Sequence, residues 1–387
     1  MGEGLDAGGE PTLKRGDVVL ELPTEHRVPL SWLLEHGNES VKLRAYQEFG
    51  TPSTVTPETL ASLAEAALAA KNPQDILKRQ KDTGLWGGNL LALAPPAKDG
   101  IKEIGTVPQH RRLLQLGIPL NSRAFKLSER VLFRILSRDE DPALQFEFAK
   151  VAKEGAAAIE WGRERFREGA AAALAEAGYQ EDPRIRGAAH RIASNVSQFL
   201  RSPLAEKPLV RAGGKTVLDP EAHPPSWYSI AMIAAMPNLQ RERAGFIERL
   251  GQYLSQPAPK KAYTILLGKK AVSPEAFLLG DPVDADAKGN PKDLPLALYF
   301  IELLARLGVL HTAPTATKVL ARLLSECDDQ GIWHPKTLKA QPKPVDPITY
   351  HWYPLHAETK APESRSLDVT LRLAQIAKYL GWQLQLG

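Results

Sequence analysis

The chain has 387 residues, 43% hydrophobic and 24% charged, which suits a folded protein with a large core. Its 49 basic and 45 acidic residues leave a formal net charge of +4, a balance that argues against a nucleic-acid binder. The single cysteine, Cys327, excludes an intrachain disulfide and fits a reducing compartment.

The opening stretch MGEGLDAGGEPTLKRGD has no apolar core and does not read as a signal peptide. No apolar run is long enough to cross a membrane, so a cytoplasmic protein without a membrane span is expected. Residues 1–26 read as an N-terminal extension and 27–387 as one helical-repeat domain. DVVLEL (17–22) is a candidate strand.

From residue 32 the signals are mostly helical. Residues 32–50 carry apolar residues at helical spacing, with Gly37 and Asn38 as a turn. Thr56 is an N-cap and Pro57 a first helical residue for a helix over 57–70. Asn121 and Ser122 precede a helix to Ser137. The Ala-rich run 150–177 favours helix, although Gly155, Gly162 and Gly169 weaken it. YTILL (263–267) is the other strand candidate. Residues 295–308 are apolar on most sides and read as a buried helix ending at Gly308. Residues 87–105, 202–226, 278–295 and 335–364, rich in Gly or Pro, read as long loops of the kind that line functional sites.

Two patterns repeat. NESVKLRA (38–45), DPALQFEFA (141–149) and DPRIRGAA (182–189) each place an aliphatic residue three positions after a capping Asn or Asp. The last two starts stand about one helix–turn–helix unit apart, and these openings resemble HEAT-like helix pairs. Separately, QKDTGLW (80–86) returns as CDDQGIW (327–333). One constant offset aligns Leu77 with Leu324, Asp82 with Asp329, Gly84 with Gly331, Leu85 with Ile332 and Trp86 with Trp333. LLQLGI (113–118), LARLGV (304–309) and AKYLGW (377–382) each end a helix pattern at Leu-Gly plus an apolar residue. The glycine suits the left-handed position that stops a helix. The expected unit is a helix ending in Leu-Gly, a turn, a second helix and then Gly-x-Trp.

In these residues the chain resembles the α/α-toroid superfamily of squalene and terpene cyclases and protein prenyltransferases. Gln80, Gly84 and Trp86 match the cyclases' Q-x3-G-x-W motif. The second copy, with Gly331, carries Cys327 in place of the glutamine. The resemblance implies an all-α fold, a toroid of paired helices, in which the motif is structural: the glutamine caps a helix end and ties outer helices together. It also implies a central cavity for an apolar or isoprenoid molecule.

The chemistry of that superfamily is not spelled out. A protonating cyclase uses Asp-x-Asp-Asp; the nearest stretch is Asp284-Ala285-Asp286, followed by Ala287 and Lys288. An enzyme that ionises a diphosphate needs paired carboxylates for magnesium, and Asp328-Asp329 lacks further acidic residues at helical spacing. Cys327, Asp329 and His356 (or His351) are the residues for a zinc alternative to a structural turn with a buried thiol. Asp284, Asp286 and Gly289 fit the start of a calcium loop, but Lys288 and Pro295 replace ligands, so a solvated acidic turn is expected and no cofactor is assigned.

YHWYPLHAE (350–358) concentrates aromatic, imidazole and carboxylate groups. Tyr350, His351, Trp352, Tyr353 and His356, with Trp333 and His334, are the candidates for lining a cavity or binding a ligand. Asp328, Asp329 and Glu358 are the carboxylate candidates for catalysis. The opposing expectation is that the rings pack a loop over one end of the fold. Lys260-Lys261 and Lys269-Lys270 flank AYTILLG as surface lysines or as a patch for an anionic partner. The functional expectation is a divergent toroid acting as a binding or interaction protein. The alternatives are an isoprenoid or terpenoid enzyme, a HEAT-like scaffold for a protein partner, and a carbohydrate-active α/α barrel using Glu358 or Asp329.

Overall fold

The computed structural model describes residues 22–93, 103–137, 146–274 and 276–387, and helix dominates them. The chain enters through β1 (Glu25–Val28), inside the expected extension, and continues into α1 (Leu30–His36) and α2 (Glu39–Phe49). Asn38 caps α2 by accepting from the Val41 N–H, as its position predicts. Thr56 likewise caps α3 (Pro57–Ala69), and α4 (Lys71–Leu77) follows. Residues 17–21 of the first strand candidate lie outside the described residues, and Leu22 is not in a strand.

Next come α5 (Thr106–Gln115), α6 (Arg123–Ser137) and α7 (Ala156–Glu176), the last starting after Gly155. Asp182 caps α8 (Pro183–Leu200); its counterpart Asp141 lies outside the described residues. The expected loop 202–226 contains a hairpin, β2 (Leu209–Ala212) with β3 (Lys215–Leu218), turned at Gly213 and Gly214. Then follow α9 (Trp227–Ala234), α10 (Pro237–Glu242) and α11 (Ala244–Leu254). The YTILL strand appears as β4 (Ile265–Leu267), paired with β5 (Lys270–Val272). The last elements are α12 (Leu294–Arg306), α13 (Pro314–Ser325), α14 (Leu367–Tyr379) and β6 (Gln383–Leu386).

The helices divide by burial. Helices α5, α9, α12 and α14, with the second half of α7, are buried at most positions. By contrast, α6, α8, α11 and α13 bury one face and expose the other. The buried helices pack in succession: α5 on α7, α7 on α9, α9 on α12 and α12 on α14. Helix α14 then meets α1, α2 and β1. β6 pairs in parallel with β1, from Glu25 opposite Gln383 to Val28 opposite Leu386. Among the described residues no helix is long and apolar enough to cross a membrane.

The repeated motifs fold alike. Gly117, Gly308 and Gly381 have φ of +81°, +70° and +72°, and the residue after each donates its N–H back to the helix. A fourth stop, Gly178 at the end of α7, has the same form (φ +89°) with Ala in place of Leu. In the Gly-x-Trp turns, Lys81 N–H donates to Leu85 O and Asp328 N–H to Ile332 O, both at 2.9 Å. The C-terminal unit has the expected order: α12 stops at Leu307-Gly308, α13 follows, and Gly331-x-Trp333 comes after it. Each Gly-x-Trp follows an outer helix (α4, α13) and leads into an inner one (α5, α14). The Trp86 N–H donates to Thr106 Oγ1 at the start of α5, and the Trp333 N–H donates to Thr370 Oγ1 in α14. Thr106 precedes Gly117 by the same spacing as Thr370 precedes Gly381. The copies differ in the connection, which is longer after Trp333 and contains residues 350–358.

Candidate functional site

The inner helices carry charge where apolar packing would be expected. Helix α5 presents Gln109, His110, Arg111 and Arg112, all buried, in four directions. The Arg111 Nε and Nη2 donate to the two oxygens of Glu176 at the end of α7, each at 2.7 Å. Nη2 also donates to the Tyr299 hydroxyl of α12 at 2.9 Å. The guanidinium lies 5.0 Å from the Trp227 ring and 5.8 Å from that of Tyr228. Burial works against its charge, but Glu176 and Tyr299 more than offset this and raise its pKa.

A second arginine fixes the loop before α14. Arg372 stacks 4.0 Å over the Trp352 ring and donates to the Trp352 carbonyl. It also reaches Gln375 (2.9 Å) and Gln115 Oε1 (3.2 Å). The Trp352 Nε1–H donates to Glu302 at 3.0 Å, and that carboxylate lies 3.8 Å from Arg372. From α5, Arg112 donates to the Pro354 carbonyl, and Gln109 accepts from the Tyr350 hydroxyl at 2.9 Å. The Asp368 carboxylate, on α14, accepts the N–H groups of Leu355 (2.6 Å) and His356 (3.1 Å). Burial raises the Asp368 pKa despite these donors. Four backbone groups of 352–356 are thus held from two inner helices, while Asn38 and Gln341 donate to the Leu355 and His356 carbonyls.

The candidate residues fall into separate groups. His351 is 1% exposed, stacked 5.9 Å from Trp227 and edge-on to Tyr299 at 5.2 Å. Its Nδ1–H donates to the Ile348 carbonyl, and burial holds its pKa well below the ordinary range. Trp352 and Tyr353 are also buried, while Tyr350 is half-buried. His356 sits apart, its Nδ1 accepting from Asn38 N–H at 3.2 Å. Trp333 is buried against Glu326, to which its Nε1 donates at 3.0 Å. His334 is exposed, 3.8 Å from Asp328. Residues 347–351 form a short 3-10 helix rather than irregular loop.

The carboxylate candidates are exposed and engaged in turns. Asp328 Oδ1 accepts from Gln330 and Ile332 N–H, closing the Gly-x-Trp turn. The Asp329 carbonyl accepts from Arg27, and Glu358 pairs with Arg365 at 3.2 Å. Cys327 Sγ faces the Leu323 carbonyl, and burial, with Asp328 and Glu326, pushes its pKa up to about 12. Cys327, Asp329 and His356 are therefore not brought together. Among the described residues no group of three His, Cys, Asp or Glu is placed to hold a metal ion. In the 281–293 loop, Asp286 accepts from Lys288 and Asn290 of its own turn, and Asp284 pairs with Lys292. The motif residue Gln80 donates to the Gly84 carbonyl and to the Ala124 carbonyl in α6, tying the turn to the next outer helix.

Sequence reading passed over Arg111, Arg112, Arg372, Glu302, Asp368, Trp227 and Tyr228. For Glu302, Arg372 and Asp368 the signal is a charge inside an otherwise apolar helix, as in YFIELLARLG or DVTLRLAQIA; Arg111, Arg112, Trp227 and Tyr228 carry no such signal. Comparison of the chain with protein-family models, curated proteins and solved structures finds no match.

Proposed function

We propose that the succession of inner helices closes into an α/α toroid of the prenyltransferase and cyclase kind, and that the protein serves as a binding or interaction protein. One observation carries the second part. The stretch Tyr350–His356, where a toroid's ligand would sit, is held by Arg112, Arg372 and Asp368, with Trp352 and Tyr353 buried. Such a loop is a plug, and a large apolar ligand would have to displace it. The clefts described lie elsewhere on the molecule, and residues 347–358 line none of them. The test is thermal unfolding and tryptophan emission with farnesyl and geranylgeranyl diphosphates and squalene, with and without magnesium or zinc. Unchanged melting and emission, with no turnover, are expected. A raised melting temperature with quenched emission would show that the plug yields to a ligand and would overturn the reading.

A second reading rests on Arg111 Nη1, the Tyr228 hydroxyl and His351 Nε2. These buried atoms have no protein hydrogen-bond partner among the described residues; the Arg111 guanidinium lies over the Tyr228 and Trp227 rings, and His351 stacks on Trp227. Unused donors and acceptors in an aromatic interior suit a small polar ligand. Oligosaccharides and small carboxylates belong in the same screen; stabilisation that disappears in Arg111→Lys would favour this reading.

A further inference from the structure

Helix α6 exposes Arg123, Lys126, Arg130, Arg134 and Ser137 along one stripe, one turn apart. Its opposite face is buried under Phe125, Leu127 and Leu132. Beside the stripe runs a cleft of about 680 Å3, walled by Lys126, Arg130 and Arg134 and, across it, by Arg184 of α8. Phe133 gives the cleft an apolar wall, packed edge-on against Tyr179 at 5.3 Å. Arg184 is fixed: its guanidinium lies 3.9 Å over Phe133 and makes a fork to Asp182, at 2.9 and 2.7 Å. Arg123 is paired with Asp82. Lys126 and Arg130 have no ion-pair partner among the described residues. The carboxylate in the cleft is Glu129, buried at its base, hydrogen-bonded to Tyr179 and raised in pKa by burial.

We infer that this cleft is a docking groove for an extended acidic peptide segment of a partner protein. The inference rests on the interaction-protein reading and names the surface and chemistry through which it works. The geometry supplies the argument. Turns of a helix rise about 5.4 Å, and alternate side chains of an extended strand are about 6.6 Å apart. A strand laid along α6 therefore places alternate residues, each a carboxylate, beside Lys126 and then Arg130. A duplex nucleic acid is the less suitable occupant, because the chain's near-balanced net charge of +4 gives little long-range attraction for a polyphosphate.

The experiment titrates a short fluorescein-labelled peptide of alternating Glu and Val into the full chain and reads anisotropy. Wild type should bind, with affinity falling as salt rises. K126E/R130E should lose about tenfold or more, since two attractions become repulsions. Both positions are exposed, so far-UV circular dichroism and melting temperature should stay unchanged. K260E/K261E, equally exposed but on the turn before β4, should bind as wild type does. Three outcomes overturn the proposal: no binding at low salt, an equal loss in K260E/K261E, or tighter binding of duplex DNA than of the peptide. None of these depends on whether the interior takes a ligand, so this test and the isoprenoid screen fail separately.

Discussion

The Trp333 backbone N–H donates to Thr370 Oγ1 at 3.1 Å, the same bond at the same distance that joins Trp86 to Thr106. Two turns far apart in the chain thus hand over to the following inner helix through one side-chain oxygen. Trp86→Ala and Trp333→Ala should each destabilise by about 3–5 kcal/mol as large core truncations. Thr106→Val and Thr370→Val should cost about 1 kcal/mol, the worth of one buried hydrogen bond. Thermal denaturation with an unchanged midpoint in both tryptophan variants would sink the structural role.

Gly331 has φ +85°, and a Cβ there would lie 1.9 Å from the Arg27 carbonyl. Gly88 has a similar φ of +77°, but its added Cβ would meet only Lys81 Nζ, at 3.8 Å. Gly88→Ala therefore measures backbone strain alone, about 1–2 kcal/mol. Gly331→Ala should cost more and should release β1 from the turn. Hydrogen exchange is the measurement: faster exchange at Arg27 and Val28 in Gly331→Ala only. Equal protection in the two variants would remove the close approach as a constraint.

Arg372 joins Trp352, Gln115 and Gln375 in the interior. Arg372→Met leaves the Trp352 carbonyl without this donor and Glu302 with Arg306 as its nearby cation, so a loss of about 1–3 kcal/mol is expected. Arg372→Lys should recover little, because an ammonium lacks the fork that serves several acceptors. Urea unfolding followed by tryptophan emission tests both. A lysine variant as stable as wild type would mean that charge, not geometry, holds the loop.

Burial, and then Arg111, push the His110 ring pKa down from 6.5 to about 3. The unfolded chain takes up that proton first, so its binding favours unfolding as acid is added. The stability contributed by neutral His110 is present above pH 6.5 and is lost as pH falls towards about 3. The loss approaches about 1.4 kcal/mol per pH unit for this group. Stability of His110→Gln should therefore fall less steeply with acid than that of wild type between about pH 6 and pH 4. Parallel curves for the two proteins would count against it.

What could be read in advance was local. Thr56, Asn38 and Asp182 cap helices because their oxygens face free N–H groups a few residues on, an event within one turn of chain. The Leu-Gly stops were legible for the same reason. The hairpin 209–218 also carries its signal, Gly-Gly between two strand-like runs, inside a stretch whose Pro and Gly content reads as loop. The interior was not legible. Arg111 looks like any surface arginine until Glu176 and Tyr299 arrive from distant helices. The same holds for His351, whose neighbours Trp227 and Tyr299 come from α9 and α12. In the Gly-x-Trp unit the order of elements is legible but the threonine partners are not, since Thr106 and Thr370 stand at different distances from their tryptophans.

The parallel pairing of β1 with β6 has a mechanical consequence. Tension applied through the chain before Glu25 and after Leu386 acts at opposite ends of the two-strand ladder. The strands are then loaded in shear: their hydrogen bonds share the force and must give way together, whereas an antiparallel pair held the same way would unzip one bond at a time. The Ser31 N–H to Gly387 carbonyl bond and the Gln383 N–H to Thr24 carbonyl bond extend that clamp at either end. A pull along the chain meets this lock before it reaches any helix.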